Sequence, residues 1–322
     1  MPIRSVAIVG AGLAGLACAK TLAAHGIAAC LFDKGRAPGG RLATRRVEAE
    51  GRPFTFDHGA QYLTARGPLF RATLDALDAQ PWLGREIRVG VPRMSALPRA
   101  LAEGLDVTMG REVVEIAGEP GAWMLRHAAP RRPGAPPVGE MAESVPFEAV
   151  LITAPSPQAA TLLARPAPIL AQAVGLVGMA PCWTLMAAFP QRLALPDQIR
   201  PEAGEIASAV RDSSKPGRDA GSECWVVQAG PAWTRAHLEQ AEPAVREALL
   251  AAFARLAGQA LPPPIFATAH RWRFALVEKP LGAPCLWDPA LGIGAAGDWC
   301  IAPRAEAAVM SGMALAAAVA GG

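Results

Sequence analysis

Residues 5–15 read SVAIVGAGLAG, and this stretch decides how the rest of the chain is interpreted. Ser5–Val9 is a short apolar run rich in β-branched residues, which is typical of a buried parallel strand. Glycines follow at positions 10, 12 and 15, and a helix is predicted to run from there to about Ala24. Gly26 stands where such a helix would end. The N-terminus is therefore predicted to form a strand, a tight turn and a helix.

The spacing of the three glycines is the one that dinucleotide-binding turns need. Gly10 permits the tight turn, and Gly12 lets the backbone approach a pyrophosphate. Gly15 lets the helix pack closely against the strand. The first helical residue, Leu13, then stands at a helix N-terminus that faces the phosphates. The sequence therefore predicts that these four residues bind a dinucleotide cofactor.

The next strand supports this interpretation. Ala28–Phe32 is predicted to be a second strand, and it ends in Asp33, which is placed to accept hydrogen bonds from ribose hydroxyls. A secretory signal peptide is the alternative, because Arg4 precedes the apolar stretch. The order of strand, turn, helix, strand and acid within 33 residues favours the dinucleotide site.

Composition limits the class of protein. A chain of 322 residues is expected to form two domains. An apolar fraction of 52% with 18% charged residues excludes a disordered chain. The 31 basic and 28 acidic residues give a net charge of +3, which is too balanced to suggest a nucleic-acid or membrane-surface partner.

Cysteine and histidine usage narrows the class further. The six cysteines form no CxxC pattern, so we expect buried thiols in a reducing compartment and a cytoplasmic location. Five histidines without an HExxH motif predict no metal site. The longest apolar runs, residues 5–19 and 307–322, contain glycine and are shorter than the ~20 residues that span a bilayer. The oligomeric state is not predicted by any of these patterns.

The residues after the second predicted strand resemble a motif of a known class of proteins. Residues 34–41 read KGRAPGGR, and here the sequence resembles flavoprotein oxidoreductases of the amine-oxidase and p-hydroxybenzoate-hydroxylase fold. In that fold the second strand runs through an acid into Gly-Gly-Arg, which wraps the FAD pyrophosphate. The resemblance implies that Lys34, Gly40 and Arg41 contact FAD, with the guanidinium on a phosphate. An ordinary turn with a surface arginine is the alternative.

The C-terminal end agrees with this resemblance. Gly292–Gly297 is predicted to be a strand, followed by Asp298 and by an alanine-rich helix that begins near Ala305. The resemblance implies that Asp298 binds the ribitol hydroxyls and that the helix N-terminus at Ala305 faces FAD. It also places the adenine against the backbone near Val113. Taken alone, the last stretch is only a packed helix.

The fold expected from the resemblance is α/β, with a Rossmann-type FAD-binding domain and an inserted α+β substrate domain. Residues 1–68, 93–158 and 280–322 are assigned to the first domain, and residues 69–92 and 159–279 to the second. The pattern also predicts an exposed hairpin loop over residues 127–144. Further strands and helices are predicted at residues 94–102 (helix), 107–116, 123–125, 148–154, 182–189, 223–230, 243–257 (helix) and 267–274.

Four further stretches narrow the resemblance. They read DHGAQYLTAR (57–66), SSKPGR (213–218), HRW (270–272) and GDWCIAPR (297–304). With FDK at 32–34, they closely resemble the bacterial renalase family over essentially the whole chain. The resemblance implies oxidation of isomeric dihydronicotinamide dinucleotides that carry hydrogen at position 2 or 6 of the ring. A hydride passes to FAD, and O2 reoxidises the flavin to give H2O2.

The resemblance also assigns site residues. Ala60 and Gln61 would line the isoalloxazine ring, and Arg304 would close the pocket near it. The expected substrate-binding residues are Tyr62, Leu63, Thr64, Ala65, Arg66, Thr184, His270, Trp272 and Arg304. Two departures from the family pattern are a shorter stretch at 82–93 and Arg93 in place of the usual glycine, while His58 occupies a variable position.

Other roles are open for several of these residues. His270 and Trp272 alternate along a strand and are equally compatible with an ordinary core. Tyr62 is compatible with a buried packing role, and Arg66 with a surface ion pair. No residue is assigned as an acid or base, because a dihydropyridine that loses hydride gains aromaticity and needs positioning more than proton transfer.

Two rival functions are considered. Amine oxidases of this fold usually carry a lysine on the strand that matches Pro181–Trp183, and none of the four lysines, at 20, 34, 215 and 279, stands there. Their aromatic cage also needs a tyrosine where this chain has Arg304. A non-catalytic flavoprotein is the second rival. FAD is expected to be bound non-covalently, since Cys300 matches no flavin-linking position.

Overall fold

The structure of the protein is a computed structural model that describes residues 2–130 and 138–321. In chain order, the first ten strands of this part are β1 (Ser5–Val9), β2 (Ala28–Asp33), β3 (Thr44–Ala49), β4 (Arg52–Asp57), β5 (Leu63–Thr64), β6 (Gln80–Pro81), β7 (Ile87–Val89), β8 (Asp106–Met109), β9 (Glu112–Glu119) and β10 (Ala122–Ala129). The others are β11 (Val138–Glu143), β12 (Ala149–Ile152), β13 (Gly178–Phe189), β14 (Gln198–Ile199), β15 (Ile206–Arg211), β16 (Glu223–Ala229), β17 (Phe266–Lys279), β18 (Leu286–Asp288) and β19 (Ile293–Ala295).

The helices of the same residues connect and cover these strands. They are α1 (Leu13–Ala24), α2 (Pro68–Ala76), α3 (Ala96–Ala102), α4 (Ser156–Leu163), α5 (Pro168–Gly175), α6 (Pro231–Ala236), α7 (Glu242–Ala257), α8 (Asp298–Ile301) and α9 (Ala305–Ala320). Two short 3-10 turns cover Gly40–Leu42 and Asp212–Ser214.

A six-stranded sheet forms the N-terminal core, in the order β18-β19-β12-β1-β2-β8. All neighbouring pairs except β18 and β19 are parallel. β1 lies in the middle, and Val6, Ala7 and Ile8 are fully buried, as expected for a strand covered on both faces. Leu16 of α1 and Leu315 of α9 pack on one face. This arrangement confirms the predicted α/β fold with a Rossmann-type domain.

An antiparallel five-stranded sheet forms the second core, in the order β14-β15-β16-β13-β17. One face packs against α7, where Leu249 and Phe253 contact Trp225 in a single hydrophobic cluster. The other face lies on the β3–β4 hairpin, through Phe54 and Phe56. This sheet is the inserted unit that the sequence predicts within residues 159–279, while the exact domain boundaries stay a prediction.

The predicted strand over residues 107–116 is wrong as a single element. β8 belongs to the six-stranded sheet, whereas β9 belongs to a separate three-stranded sheet with β10 and β11. The break falls at Gly110, whose φ of +69° few other residues adopt, and its N–H donates to the Gly35 carbonyl. The apolar pattern continues through Gly110, so the sequence did not reveal that the chain passes from one sheet to another there.

The predicted exposed loop over residues 127–144 is also wrong at both ends. β10 continues to Ala129, and β11 pairs with it, so both ends of this stretch are strand. Residues 131–137 lie outside the described residues. The predicted strand 267–274 extends further as well, because β17 pairs with β13 until Lys279 meets Gly178.

We expect Gly312→Ala to destabilise the protein. A Cβ on Gly312 of α9 would collide with the backbone carbonyl of Ala14 in α1, and a helix carbonyl has no room to move. Overpacking of this kind costs roughly 1–3 kcal/mol of unfolding free energy. Urea unfolding measures it. Gly175→Ala is the matched control, because no atom lies within 4 Å of the new Cβ, and it should leave stability unchanged or slightly higher. Equal stability of the two variants would contradict the close contact between α1 and α9.

Candidate functional site

The turn between β1 and α1 has the geometry of a phosphate cradle. Gly10 has a φ of +112°, and a Cβ on Gly15 would collide with the Gly10 carbonyl, so α1 starts directly against the turn. A Cβ on Gly12 would meet no protein atom within 4 Å. No side chain caps the N–H groups at the start of α1, which begins at Leu13. The open space beside Gly12 suits a phosphate, and contact of these residues with it stays a prediction.

Asp33 holds this turn in place. Its Oδ2 accepts a hydrogen bond from the Ala11 N–H at 2.7 Å, and its Oδ1 accepts one from the Gly35 N–H at 2.6 Å. The carboxylate therefore orders the glycine turn, a role that the sequence analysis did not foresee. Its predicted contact with ribose stays a prediction. Lys34 is half exposed and lies 3.8 Å from Glu112.

Arg41 and Asp298 bind each other. The guanidinium follows Gly39 and Gly40, which both have positive φ, and donates two hydrogen bonds to the Asp298 carboxylate at 2.6 and 2.8 Å. A third hydrogen bond reaches the Ala275 carbonyl at 3.1 Å. The predicted contacts of Arg41 with a phosphate and of Asp298 with ribitol stay predictions. The observed pair joins the loop after β2 to the C-terminal segment and to β17.

A network of buried charges surrounds Asp57 at the end of β4. Its carboxylate, which is fully buried, accepts hydrogen bonds from the Thr44 hydroxyl at 2.7 Å and the Met94 N–H at 3.1 Å. It also accepts from Lys215 at 3.2 Å and Arg218 at 2.5 Å. Burial opposes ionisation of Asp57, but the two cations outweigh it and hold its pKa below the ordinary range.

Asp212 completes the network. It lies 2.5 Å from the Lys215 ammonium, and both side chains are almost fully buried. Burial raises the pKa of Asp212 to about 6, and the charge of Asp57 adds to that rise. Two carboxylates and two cations therefore balance one another inside the protein, where an unpaired charge would be costly.

The segment 58–61 continues from Asp57 and is held along its length. Trp272 Nε1 donates to the His58 carbonyl at 3.0 Å, and Gln228 Nε2 donates to the Gly59 carbonyl at 2.8 Å. The Ala60 N–H donates to the Arg41 carbonyl at 2.8 Å. The inserted sheet thus fixes the backbone of the segment through two side chains.

Ala60 and Gln61 differ in orientation. Ala60 is half-buried, whereas Gln61 is buried and donates its amide to the Asp57 carbonyl. Its Oε1 accepts from Lys215 at 3.4 Å. The Gln61 side chain is therefore turned into the charge network. Its predicted contact with the isoalloxazine stays a prediction, as does that of Ala60.

Three aromatic residues pack together beside this segment. The ring centroids of His58, His270 and Trp272 lie 4.6–5.2 Å apart. Burial lowers the pKa of His58 to about 4, helped by His270 and Arg45. Burial and Arg45 likewise lower the pKa of His270 to about 4, so both imidazoles are neutral at pH 7. Thr184 is fully buried and pairs with His270 across β13 and β17. The structure thus brings three of the predicted substrate-binding residues together.

Residues 62–66 divide between core and surface. Leu63 and Ala65 are packed in a hydrophobic cluster with Phe70 and Val309, and their predicted contact with the substrate stays a prediction. Thr64 and the Arg66 side chain are exposed. The sequence pattern did not reveal this alternation because β5 is only two residues long.

Tyr62, Arg304, Val113 and Ala305 have distinct surroundings. The Tyr62 hydroxyl is hydrogen-bonded to Gln198 at 3.1 Å and to Arg200. Arg304 precedes α9 and lies 3.4 Å from Glu306. Val113 is buried in β9, and Ala305 is the first residue of α9. The predicted contacts of these four residues with substrate or cofactor stay predictions.

The carboxylate of Glu306 joins this helix to the segment before α2. It accepts hydrogen bonds from the Arg66 N–H at 3.1 Å and the Gly67 N–H at 2.7 Å. A buried carboxylate that accepts two backbone N–H groups fixes the position of both chain segments. Arg304 is thereby held close to residues 66 and 67.

These features define a two-domain protein with a Rossmann-type dinucleotide site that faces an inserted antiparallel sheet. A family profile described as "Flavin containing amine oxidoreductase" matches residues 68–320, more than half of the chain. A profile described as "NAD(P)-binding Rossmann-like domain" matches residues 8–77. The chain therefore belongs to the flavin-containing amine oxidoreductase family, and its cofactor is FAD.

Solved structures share the fold at low sequence identity. A protein provisionally assigned as a protoporphyrinogen oxidase, from Exiguobacterium sp. 255-15, matches with a TM-score of 0.75 and 14% identity over 99% of both chains. Wild-type putrescine oxidase bound to putrescine matches with a TM-score of 0.68 and 13% identity over 98% of both chains. At such identities the comparison establishes the fold.

The residues present fit FAD. The open space at Gly12 and the uncapped start of α1 suit a pyrophosphate. Burial raises the pKa of the Cys300 thiol to about 12, so the thiol is protonated at pH 7. All six cysteines are free.

The described residues contain neither a cluster of metal ligands nor a membrane-spanning helix. Over residues 2–130 and 138–321, no group of three or more His, Cys, Asp or Glu side chains is arranged to hold a metal ion. Over the same ranges, no helix combines the length and the apolar character needed to cross a bilayer.

The sequence analysis missed the role of Lys215. The stretch Pro181–Trp183 contains no lysine, but Lys215 reaches the buried site from the connection between β15 and β16. The sequence analysis assigned no contact to the stretch SSKPGR and gave it only as part of the family resemblance. One signal was available. The chain has four lysines, and one of them stands three residues before an arginine in the short stretch SSKPGR.

We expect Gly12→Val to abolish FAD retention without unfolding the protein. Gly12 has an extended backbone (φ −78°), which valine adopts, and the new side chain enters open space that FAD needs. Urea unfolding of the apoprotein should match wild type, while the purified variant should be colourless. Gly15→Val is the contrasting variant, because its side chain would strike the Gly10 carbonyl and disrupt folding. A yellow, fully loaded Gly12→Val protein would refute the cradle.

Proposed function

We propose that the protein is an FAD-dependent oxidase of isomeric dihydro-NAD(P). The substrate carries its extra hydrogen at position 2 or 6 of the nicotinamide ring. One dihydronucleotide, one proton and one O2 give NAD(P)+ and H2O2. We further propose that FAD is held non-covalently and that the two domains divide as the sequence predicts. The observation that carries this proposal is the meeting, in one place, of the four stretches that resemble the renalase family.

Contacts between these stretches are direct. Asp57 of DHGAQYLTAR contacts Lys215 and Arg218 of SSKPGR. His58 packs against His270 and Trp272 of HRW. SSKPGR and HRW follow DHGAQYLTAR by about 150 residues or more, and both contact its first residues. Shared geometry of this kind supports a common site.

GDWCIAPR contacts the same region from the other side. Asp298 binds Arg41, whose carbonyl accepts the Ala60 N–H. Arg304 ends this stretch and lies close to Glu306, which holds the backbone of Arg66. The C-terminal stretch and the segment 57–66 are therefore neighbours on both sides of the proposed pocket.

The chain's own residues have to position the substrate. FAD supplies the hydride acceptor and passes the electrons on to O2. Loss of hydride makes the nicotinamide ring aromatic, so no acid or base is required, and a donor carbon held about 3–3.5 Å from its acceptor is the main demand. The hydrogen bonds to the carbonyls of His58 and Gly59 keep the segment rigid for this purpose. Arg66 and Arg304 are proposed to attract the dinucleotide phosphates.

Amine oxidation is the second candidate, because the family and the putrescine oxidase fold both favour it. Arg304 argues against it, since a cation at the start of α9 would repel a protonated amine. The neutral aromatic group of His58, His270 and Trp272 also lacks a carboxylate to pair with an ammonium. A non-catalytic flavoprotein is the remaining alternative.

Anaerobic reduction of the bound flavin tests the proposal. The flavin absorbance near 450 nm should bleach with 2- or 6-dihydro-NAD(P) under argon and return in air. Putrescine should leave the spectrum unchanged. Bleaching by putrescine and not by the dihydronucleotides would establish the amine oxidase alternative. No bleaching by either would favour the non-catalytic flavoprotein.

We expect Arg304→Ala to slow flavin reduction at low dihydronucleotide concentration by roughly ten- to a hundredfold, because one charged hydrogen bond is lost. FAD should remain bound, since the glycine turn is unaffected. Anaerobic stopped-flow absorbance measures the rate. Arg165→Ala is the control, because Arg165 is exposed and pairs with Glu115 far from the pocket. Equal rates for Arg304→Ala and wild type would remove Arg304 from the site.

A further inference from the structure

Lys215 is a buried cation that the hydride transfer proposed above does not use. Its side chain has no exposed surface and lies in the connection between β15 and β16. An ammonium group has three N–H donors, and three acceptors surround this one: Asp212 Oδ1 at 2.5 Å, Asp57 Oδ2 at 3.2 Å and Gln61 Oε1 at 3.4 Å. The Trp82 ring covers a further side, with its centroid 5.9 Å from the nitrogen. All donors of the ammonium are therefore engaged.

Gln61 is an uncharged partner of this ammonium. Its amide group has a donor end and an acceptor end, and an ammonium has no acceptor, so Oε1 has to face Lys215. Nε2 is thereby turned the other way, where it donates to the Asp57 carbonyl and, at 3.3 Å, to the Gly59 carbonyl. The reversed orientation would place Oε1 against two carbonyl oxygens. The charge of Lys215 thus selects one of the two orientations of the amide.

The Gln61 amide in turn shapes the segment 58–61. It reaches back to the carbonyls of residues 57 and 59, and the His58 carbonyl between them accepts from Trp272 Nε1 at 3.0 Å. Three successive carbonyl groups are therefore engaged by side chains of the protein. The protein itself holds the backbone of the segment in one conformation, which lowers the cost of ordering it when a ligand binds.

The segment 58–61 adjoins the glycine turn that is predicted to bind the pyrophosphate. A Cβ on Gly40 would lie 3.7 Å from the Gly12 Cα, so the two glycine turns are neighbours. A Cβ on Gly59 would collide with the carbonyl of Arg41, the next residue after Gly40. The glycine turn, the Gly40 turn and the segment thus form one continuous stretch of backbone surface. An FAD whose pyrophosphate lies at Gly12 is predicted to extend along it.

We propose that Lys215 is a positioning residue of the flavin site, which fixes the segment 58–61 through the Gln61 amide in the conformation that binds FAD. Because Lys215 has no exposed surface, it acts through Gln61 and not on the flavin directly. The inference rests on the predicted contact of Ala60 and Gln61 with the isoalloxazine. It applies to either candidate substrate.

The test removes the ammonium without leaving an unpaired charge. Lys215→Met together with Asp212→Asn removes one buried charge of each sign and leaves Asp57 paired with Arg218. In the apoprotein, amide hydrogen exchange over residues 58–61 should become roughly tenfold faster, while β13 and β17 keep wild-type exchange. The Kd for FAD, measured by fluorescence quenching as apoprotein is titrated, should rise about tenfold.

A double-mutant cycle with Gln61→Leu tests whether Lys215 acts through this amide. Leucine is close to glutamine in size and has no polar group, so Gln61→Leu should by itself free the segment and weaken FAD binding. Adding the Lys215→Met and Asp212→Asn pair to Gln61→Leu should then raise the Kd for FAD by less than about twofold more. A lysine with a purely structural role would act independently, and the two effects would multiply.

Arg211→Met together with Glu223→Gln is the matched control. These two charges are also buried and lie 3.0 Å apart on the same sheet. The guanidinium stacks on Trp225, on the face that packs against α7, and not on the segment 58–61. This pair of changes should lower stability toward urea, but it should leave exchange over the segment and the Kd for FAD like wild type.

The outcomes are distinct. Wild-type exchange over residues 58–61 in the folded Lys215→Met and Asp212→Asn variant would overturn the inference, as would multiplying effects in the cycle. Gln61→Leu keeps all four buried charges, so it carries the exchange measurement if the other variant does not fold, and unchanged exchange there would also overturn it. The proposed function is tested separately, because bleaching of the wild-type flavin by dihydro-NAD(P) involves none of these variants.

Discussion

The buried carboxylate of Asp57 is the interaction on which the rest of the site depends. It joins the β3–β4 hairpin, the segment that leads into α3, and the β15–β16 connection of the inserted sheet through Thr44, Met94, Lys215 and Arg218. A buried carboxylate is tolerable only when charges and donors compensate its lost hydration, and here two cations do so. Removal of either cation would leave a net negative charge buried. Segment 58–61, which begins at the next residue, is therefore placed by a buried electrostatic contact between the two cores.

A second ion pair, between Arg41 and Asp298, joins distant chain segments beside the glycine turn. Arg41 and Asp298 stand about 250 residues apart in sequence, yet their bidentate contact closes the loop after β2 against the C-terminal segment. The Arg41 carbonyl also accepts the Ala60 N–H. The N-terminal, middle and C-terminal parts of the chain thus meet within a few residues. A site that is assembled from all three parts explains why its motifs are scattered.

Whether a feature of the fold or the site could be predicted depends on how far apart in sequence its interacting residues lie. The β1–α1–β2 unit is encoded locally, since its glycines, its strand pattern and Asp33 lie within 33 residues, and the sequence predicts it correctly. The break at Gly110 was missed because a strand pattern does not report φ. Lys215 and Gln228 acquire their contacts with residues 57–61 only when strands pair over long sequence distances. These residues differ from others of the same type in being buried. Burial depends on the tertiary structure and cannot be predicted from a single sequence.

Family membership and residue chemistry point to different substrates. The family is named for amines, whereas we propose a dinucleotide substrate, which the neutral aromatic cluster of His58, His270 and Trp272 and the cation of Arg304 support. The stoichiometry of products in air decides between them most directly. With 6-dihydro-NAD as substrate, the account predicts one NAD+ and one H2O2 for each dihydronucleotide consumed. Consumption of an amine with release of ammonia, and no NAD+ formed from the dihydronucleotide, would contradict it.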